Sequence, residues 1–265
     1  MLNTFKTMTH TDSVFYKPRN YKSIDLWKDI TEAQWNSPDW QLKNSIRTIE
    51  QLKLVIKLEE YQEKEIERTI KSLRAEGKDA LRITPYYATL MHEDPFHPVS
   101  FAGEKTENKL DPIFWQSVPT PANLLFPDTG LEGAMSESSR SFGAAYQRYP
   151  NRVALFVAEN TSCASYCIHC QRAKSLDSTI EVSSTEINKG LFYIAYNKNI
   201  DEVLVTGGDA LRISKNRLAY ILEELSKIPH LRVIRIATRV PVVMPMGITD
   251  DILELINTSA NKYNH

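Results

Sequence analysis

Apolar positions along this chain follow two periods, and the change between them divides it. Leu42, Ile46, Ile49 and Leu52 recur at helical spacing, as do Ile66, Ile70 and Leu73 ahead of Gly77. Residues 41–76 therefore predict a pair of amphipathic helices packed against a core or a partner subunit. The residues before them are polar and aromatic, with Trp27, Trp35 and Trp40, and predict irregular structure or short helices. Residues 92–147 carry many prolines, serines and glycines without a period, and read as a long connection holding short pieces of structure.

From Val153 the pattern becomes one of short apolar runs separated by helical stretches. Val153–Val157 has strand length. Ser183 with Glu186 three residues on makes a capping box, followed by the stripe Ile187, Leu191 and Ile194. Val203–Val205 is the next strand and runs into Gly207-Gly208. Ser214 is placed to cap a helix carrying Leu218, Ile221, Leu222 and Leu225. Val233–Ile236 is a third strand, and Thr249 is placed to cap a third helix with Asp250 and Asp251 at its positive end. Three such alternations predict an α/β fold with a parallel sheet, buried on both faces and joined by right-handed crossovers. The expected organisation is a helical extension and connection over 1–147 and an α/β part over 148–265. Ligands in such folds bind beyond the C-terminal ends of the strands, where a cysteine loop and a Gly-Gly-Asp both fall.

Composition narrows the classes without choosing one. The chain has 265 residues, 42% hydrophobic and 25% charged, with a formal net charge of −1. Those values are ordinary for a globular protein and give no footing for bulk nucleic-acid or membrane electrostatics. Neither a membrane-length apolar run nor a signal peptide is read, so a cytoplasmic location is expected. The 3 cysteines are too few for a disulfide scaffold.

All three cysteines fall on one stretch, Cys163-x3-Cys167-x2-Cys170. Thiolates are the natural soft ligands of an iron–sulfur cubane, and three on one loop reach three corners and leave the fourth iron open to a small chelating molecule. A structural zinc site would need a fourth ligand, and His169 is poorly placed beside Cys170. A disulfide with a spare thiol, or three inert buried cysteines, are the other readings. Gly207-Gly208-Asp209 allows close approach of a ligand to bare backbone, and its carboxylate and strand-end carbonyls suit an ammonium group; an ordinary strand-to-helix turn is the plainer alternative.

Taken as a set, these residues resemble the radical S-adenosylmethionine enzymes, and among them the lysine 2,3-aminomutase family. Trp40-Gln-Leu-Lys-Asn44, Ile83-Thr-Pro-Tyr-Tyr-Ala88, Arg148-Tyr-Pro-Asn-Arg152, Cys167-Ile-His-Cys170 with Gln171-Arg172, Val205-Thr-Gly-Gly-Asp-Ala-Leu211 and Thr238-Arg-Val-Pro-Val-Val-Met-Pro245 carry the resemblance. The chain departs from the family pattern around Ser141–Ala145, at Ala173-Lys-Ser and at Gly247, positions that bear on substrate choice.

The resemblance implies a partial parallel (βα) barrel of the radical S-adenosylmethionine type behind a helical N-terminal extension. It implies a [4Fe–4S] cluster on Cys163, Cys167 and Cys170, S-adenosylmethionine bound with Gly207, Gly208 and Asp209, and reductive cleavage to a 5′-deoxyadenosyl radical. Pyridoxal 5′-phosphate would carry the migrating nitrogen from C2 to C3 of an amino acid, lysine first and glutamate second, with its phosphate held by Arg148, Tyr149 and Arg152. Arg172 would pair with the substrate carboxylate. A reducing electron donor is the expected partner. The strand-and-helix part has room for three βα units at about 30 or more residues each, and the family's barrel needs about twice as many. The lysine that anchors pyridoxal phosphate is therefore expected outside this chain, which reads as a truncated frame or half of a split enzyme, inactive alone.

In a context competent for substrate binding, Arg172→Ala is expected to weaken amino-acid binding roughly tenfold or more, the value of one charged hydrogen-bonded pair. The cluster spectrum should stay intact. Equilibrium dialysis with labelled substrate checks this, and unchanged affinity would remove Arg172 from the substrate site.

Overall fold

A computed structural model describes residues 18–75, 80–96, 111–122, 141–158, 163–168, 170 and 182–262. The N-terminal part is built from the helices α1 (Glu32–Trp35), α2 (Pro38–Lys43), α3 (Ile49–Lys53), α4 (Glu60–Ala75), α5 (Pro85–Thr89) and α6 (Pro112–Ser117), of which all but α4 are short. Thr31, Ser37, Thr48, Thr84 and Asp111 each accept a backbone N–H at a helix start. The single helix expected through Leu42 and Leu52 is broken. Ile46 exchanges backbone hydrogen bonds with Ile83, at 2.7 and 3.1 Å, and Thr48 then caps a new helix. A buried backbone pairing overrides helical spacing here. Helix α4 keeps its predicted stripe, with Ile66, Ile70 and Leu73 buried; its expected end at Gly77 lies outside the described residues.

The C-terminal part is a five-stranded sheet in the order β1 (Ser141–Phe142), β2 (Ala145–Tyr149), β3 (Arg152–Phe156), β4 (Glu202–Thr206) and β5 (Val233–Ile236). The three strands read from the sequence are β3, β4 and β5, parallel and in chain order. Strands β1 and β2 are additional. They run antiparallel and join the sheet through the Pro150-Asn151 turn. Strand β2 crosses position 147/148, so the sheet draws on both sides of the expected division. Buried Gln147 fastens that turn: its amide donates to the carbonyls of Tyr149 and Pro150, at 2.9 and 2.8 Å, and its oxygen accepts from Tyr193 and Asn197. Gly143, at φ +56°, turns β1 into β2 so tightly over the next helix that a Cβ there would lie 2.5 Å from the Glu186 carbonyl.

Helices α7 (Ser184–Tyr196), α8 (Lys215–Ser226), α9 (Val240–Val243) and α10 (Asp250–Lys262) complete the described α-helices. Ser183 caps α7 as expected, and the Glu186 carboxylate pairs with Lys189 at 2.6 Å in place of completing a capping box. Ser214 caps α8. The Thr249 hydroxyl donates to Asp251 instead, while its carbonyl accepts from Ile252 and Leu253.

Only one face of the parallel strands is fully buried, which corrects the expectation of two. Val153, Leu155, Val203 and Val205 form a core with Ile187, Leu191 and Ile194 of α7 and Ile221 and Leu225 of α8. The opposite face, with Arg152, Ala154, Glu202, Leu204 and Arg235, is exposed or half-buried. That face is charged at Arg152, Glu202 and Arg235 and closes only toward the C-terminal end of β3, where Phe156 is buried. A second core gathers the N-terminal helices around Trp27, Leu52, Ile83, Tyr87 and Phe114, and takes in Ala164, Val240, Val243 and Met244. Among the described residues, no helix is long and apolar enough to cross a membrane.

Leu155→Ala, at a fully buried position of the sheet core, is expected to cost about 2–5 kcal/mol through lost burial and a residual cavity. Urea unfolding followed by circular dichroism measures it. A loss below about 1 kcal/mol would mean that this face is not the structural core.

Candidate functional site

Because β3, β4 and β5 are parallel and in register, the segments that follow them leave one edge of the sheet side by side. Val157 donates to Thr206, Gly208 to Ala158, and Ala210 to Ala237, at 2.8, 3.1 and 3.2 Å. The cysteine loop, Gly207-Gly208-Asp209 and Thr238-Arg239 thus share one end of the sheet. Gly207 has φ +145°, and any Cβ there would fall 2.4 Å from the Ala158 carbonyl. The glycine is what lets the second strand end pass the first.

Asp209 is buried, at 4% exposure. Its carboxylate accepts from the Thr238 hydroxyl at 2.7 Å, the Arg239 backbone N–H at 2.7 Å and the Leu211 N–H at 3.0 Å. Through these bonds Asp209 joins the end of β4 to the end of β5. Gly207 and Gly208 stay partly exposed beside it.

The cysteine loop is held from outside the sheet. Arg82 donates to the Cys163 carbonyl at 2.8 Å and accepts through its own carbonyl from Tyr166 N–H at 2.8 Å. Ile168 N–H donates to the Gln116 carbonyl at 3.1 Å, and the Ser165 hydroxyl accepts from Thr84 N–H at 3.4 Å. The Thr84 hydroxyl in turn donates to the Val243 carbonyl. Within the loop, Cys170 N–H donates to the Cys167 carbonyl at 3.1 Å.

Cys163, Cys167 and Cys170 are all free thiols and all partly buried. Burial pushes the Cys163 thiol up to about 12, with Asp209, Cys167 and Cys170 adding to the push. Burial raises Cys167 too, against the pull of the Arg239 guanidinium. Arg239 donates from one terminal nitrogen to Cys167 Sγ and from the other to the Tyr87 hydroxyl at 2.9 Å, and its guanidinium lies 5.3 Å from the centre of the Tyr87 ring. Among the described residues no three His, Cys, Asp or Glu side chains are drawn together as a metal site. The donor set nevertheless fits a thiolate-bound group: three soft, reduced ligands on one stretch of chain, beside a cationic side chain.

The other expected residues fall elsewhere. Arg152 opens β3 and lies at the opposite end of the parallel strands, on the half-open face, where it pairs with Glu202 at 3.3 Å. Arg235 takes the second oxygen of Glu202 at 3.2 Å. Arg148 sits 5.7 Å from the ring of the exposed Tyr149. The structure therefore gathers Arg148, Tyr149 and Arg152 near one another but not with the cysteines. Arg172 and His169 lie outside the described residues. Arg239, Tyr87 and Arg82 carry no signal of their own in the sequence, although the first two stand in segments that carry the family resemblance. Their partners are far away in the chain, and no local pattern marks such pairs.

Comparison with known proteins bears on what this end of the sheet is for. The L-lysine 2,3-aminomutase of Bacillus subtilis (strain 168) is 38% identical over 245 residues, which make up 91% of this chain and 48% of that protein. The L-lysine 2,3-aminomutase of Clostridium subterminale is 35% identical over 237 residues, 89% of this chain and 52% of the relative. The glutamate 2,3-aminomutase of Clostridioides difficile (strain 630) is 35% identical over 227 residues, 85% of this chain and 49% of the relative. The chain spans about half the length of these curated relatives. No protein-family model matches it.

Asp209→Asn would turn an amide N–H toward the donors of Thr238, Arg239 or Leu211. The expected cost is about 1–3 kcal/mol, that of a buried donor left without an acceptor. Thermal melts of the metal-free chain at neutral pH check it, and an unchanged midpoint would show that the carboxylate does not join the strand ends.

Proposed function

Related as this chain is to the L-lysine 2,3-aminomutases over nearly all of its length, we propose that it is the cluster-bearing part of a radical aminomutase. The reaction is an isomerisation that moves the α-amino group of an amino acid from C2 to C3. The observation that carries this reading is the placement of three free cysteines beyond β3, next to the glycines beyond β4, in a chain with those relatives. Bound here, a [4Fe–4S] cluster would supply the electron that cleaves S-adenosylmethionine, and pyridoxal phosphate would carry the migrating nitrogen.

The residues on hand have plain tasks in such a site. Cys163, Cys167 and Cys170 hold the metal group. The bare backbone of Gly207 and Gly208 admits the methionine end of the cosubstrate, and Asp209 keeps the two strand ends in place. The N-terminal segments around Arg82, Thr84 and Gln116 form the outer wall of the loop and keep water from it. Arg172 takes the substrate carboxylate, and Arg148, Tyr149 and Arg152 are the available anion ligands for a phosphate. Parallel strands in chain order, with helices on one face and Arg152, Glu202 and Arg235 on the other, support a partial barrel whose half-open face is the interior. A cytoplasmic setting suits thiols that must stay reduced. Lysine is the first substrate; the similarity to a glutamate 2,3-aminomutase makes glutamate the second.

After anaerobic reconstitution the chain is expected to hold about four irons and four sulfides. Replacing any one of Cys163, Cys167 or Cys170 with alanine should remove most of the iron and the brown colour. With dithionite and S-adenosylmethionine, the loaded chain should yield 5′-deoxyadenosine. Metal analysis showing zinc in place of iron would sink the proposal.

A further inference from the structure

Arg239 stands where four parts of the chain meet. Its backbone N–H is bound by buried Asp209 of the β4 end, and it immediately follows Thr238, whose hydroxyl donates to the same carboxylate. Its side chain reaches away from the sheet, giving one terminal nitrogen to Cys167 Sγ and the other to the hydroxyl of Tyr87 on α5. Tyr87 is almost fully buried, at 1% exposure, and its ring packs against the guanidinium. An arginine fork held at backbone, ring and hydroxyl keeps few alternative rotamers, so its charge is delivered to one place. That place is the sulfur of one cysteine and of neither other.

Resting on the reading of the cysteines as cluster ligands, we infer that Arg239 is a positioning residue: it holds the Cys167 sulfur and sets its charge so that the cluster is easier to reduce. A hydrogen bond to a ligating sulfur, together with a fixed positive charge, stabilises the more negative, reduced state of a cluster and raises its potential. Tyr87 orients the guanidinium, and Asp209 anchors the backbone from which it extends. The N-terminal helices therefore contribute to the electron chemistry through Tyr87, without touching the metal.

The test uses the 265-residue chain, reconstituted anaerobically, as wild type and as Arg239→Met, Arg239→Lys and Tyr87→Phe. The measurements are iron content, the midpoint potential from a dye-mediated optical titration, and the electron paramagnetic resonance line shape of the reduced state. Arg239→Met is expected to move the potential to a more negative value and to change the line shape. Arg239→Lys should recover part of the shift, since it restores charge without the fork. Tyr87→Phe, which removes one hydroxyl, should shift the potential in the same direction by less. Circular dichroism melts of the metal-free variants report folding, and if Arg239→Met does not fold, Tyr87→Phe decides. Loaded variants with the wild-type potential and line shape would overturn the inference and leave the cluster reading intact. A wild-type chain that takes up no iron would overturn the cluster reading, and the inference with it.

Discussion

The described residues of the cysteine loop, 163–168 and 170, stand beyond strand β3 without a ladder of their own, and buried backbone donors and acceptors must find partners somewhere. They find them in the N-terminal half of the chain. Arg82 binds the loop from both its side chain and its carbonyl, Gln116 takes the Ile168 N–H, and Thr84 reaches Ser165 on one side and Val243 on the other. Every other feature of the site depends on this attachment, because three cysteines on a loose loop would have no common direction. It also explains why the core around Trp27 and Tyr87 includes Ala164 of the loop and Val240, Val243 and Met244 beyond β5. The extension is a wall of the site and not an appendage to it.

The sheet supplies the other half of the construction. Parallel, in-register strands bring their C-terminal ends to one edge, and the turn after each strand then has to avoid its neighbour. Gly207 meets that demand against Ala158, and Asp209 meets it by taking three donors from the next strand end and its own turn. A carboxylate committed in this way fixes where Arg239 begins. Arg239 then closes the circuit to Cys167 and Tyr87, so strand ends, loop and extension are bound into one unit. At the other end of the strands, Arg152 and Arg235 share Glu202 on the half-open face. Two guanidiniums share one carboxylate there, well away from the cysteines.

Much of this was legible from residue order alone. The three parallel strands, the caps at Ser183 and Ser214 and the buried stripes of α4, α7 and α8 follow from period and capping chemistry, which act over a few residues. The cysteine spacing and the Gly-Gly-Asp were equally visible, as were the segments shared with the 2,3-aminomutases. What misled was local pattern where a distant partner won. Ile46 lies on a helical stripe but pairs its backbone with Ile83. Tyr149 and Arg152 border a Pro-Asn turn flanked by alternating residues, and that turn pairs β2 with β3 as a hairpin. The strand runs predict burial on both faces, but Glu202 and Arg235 pair on the side that stays half-open.

By itself, then, the sequence determined the elements and the kinds of ligand: where helices and strands begin, that three thiols lie within one short stretch, and which relatives the chain has. Only the tertiary structure decided which groups meet. Asp209 meets Thr238 and Arg239, Arg152 meets Glu202 at the far end of the strands, and Arg239 meets Cys167 and Tyr87, which are distant in the chain. The physical reason is range. Propensity and capping are settled by neighbours along the chain, whereas the partner of a buried charge or a bare carbonyl is whatever donor or acceptor packing brings beside it, and that depends on every other element at once.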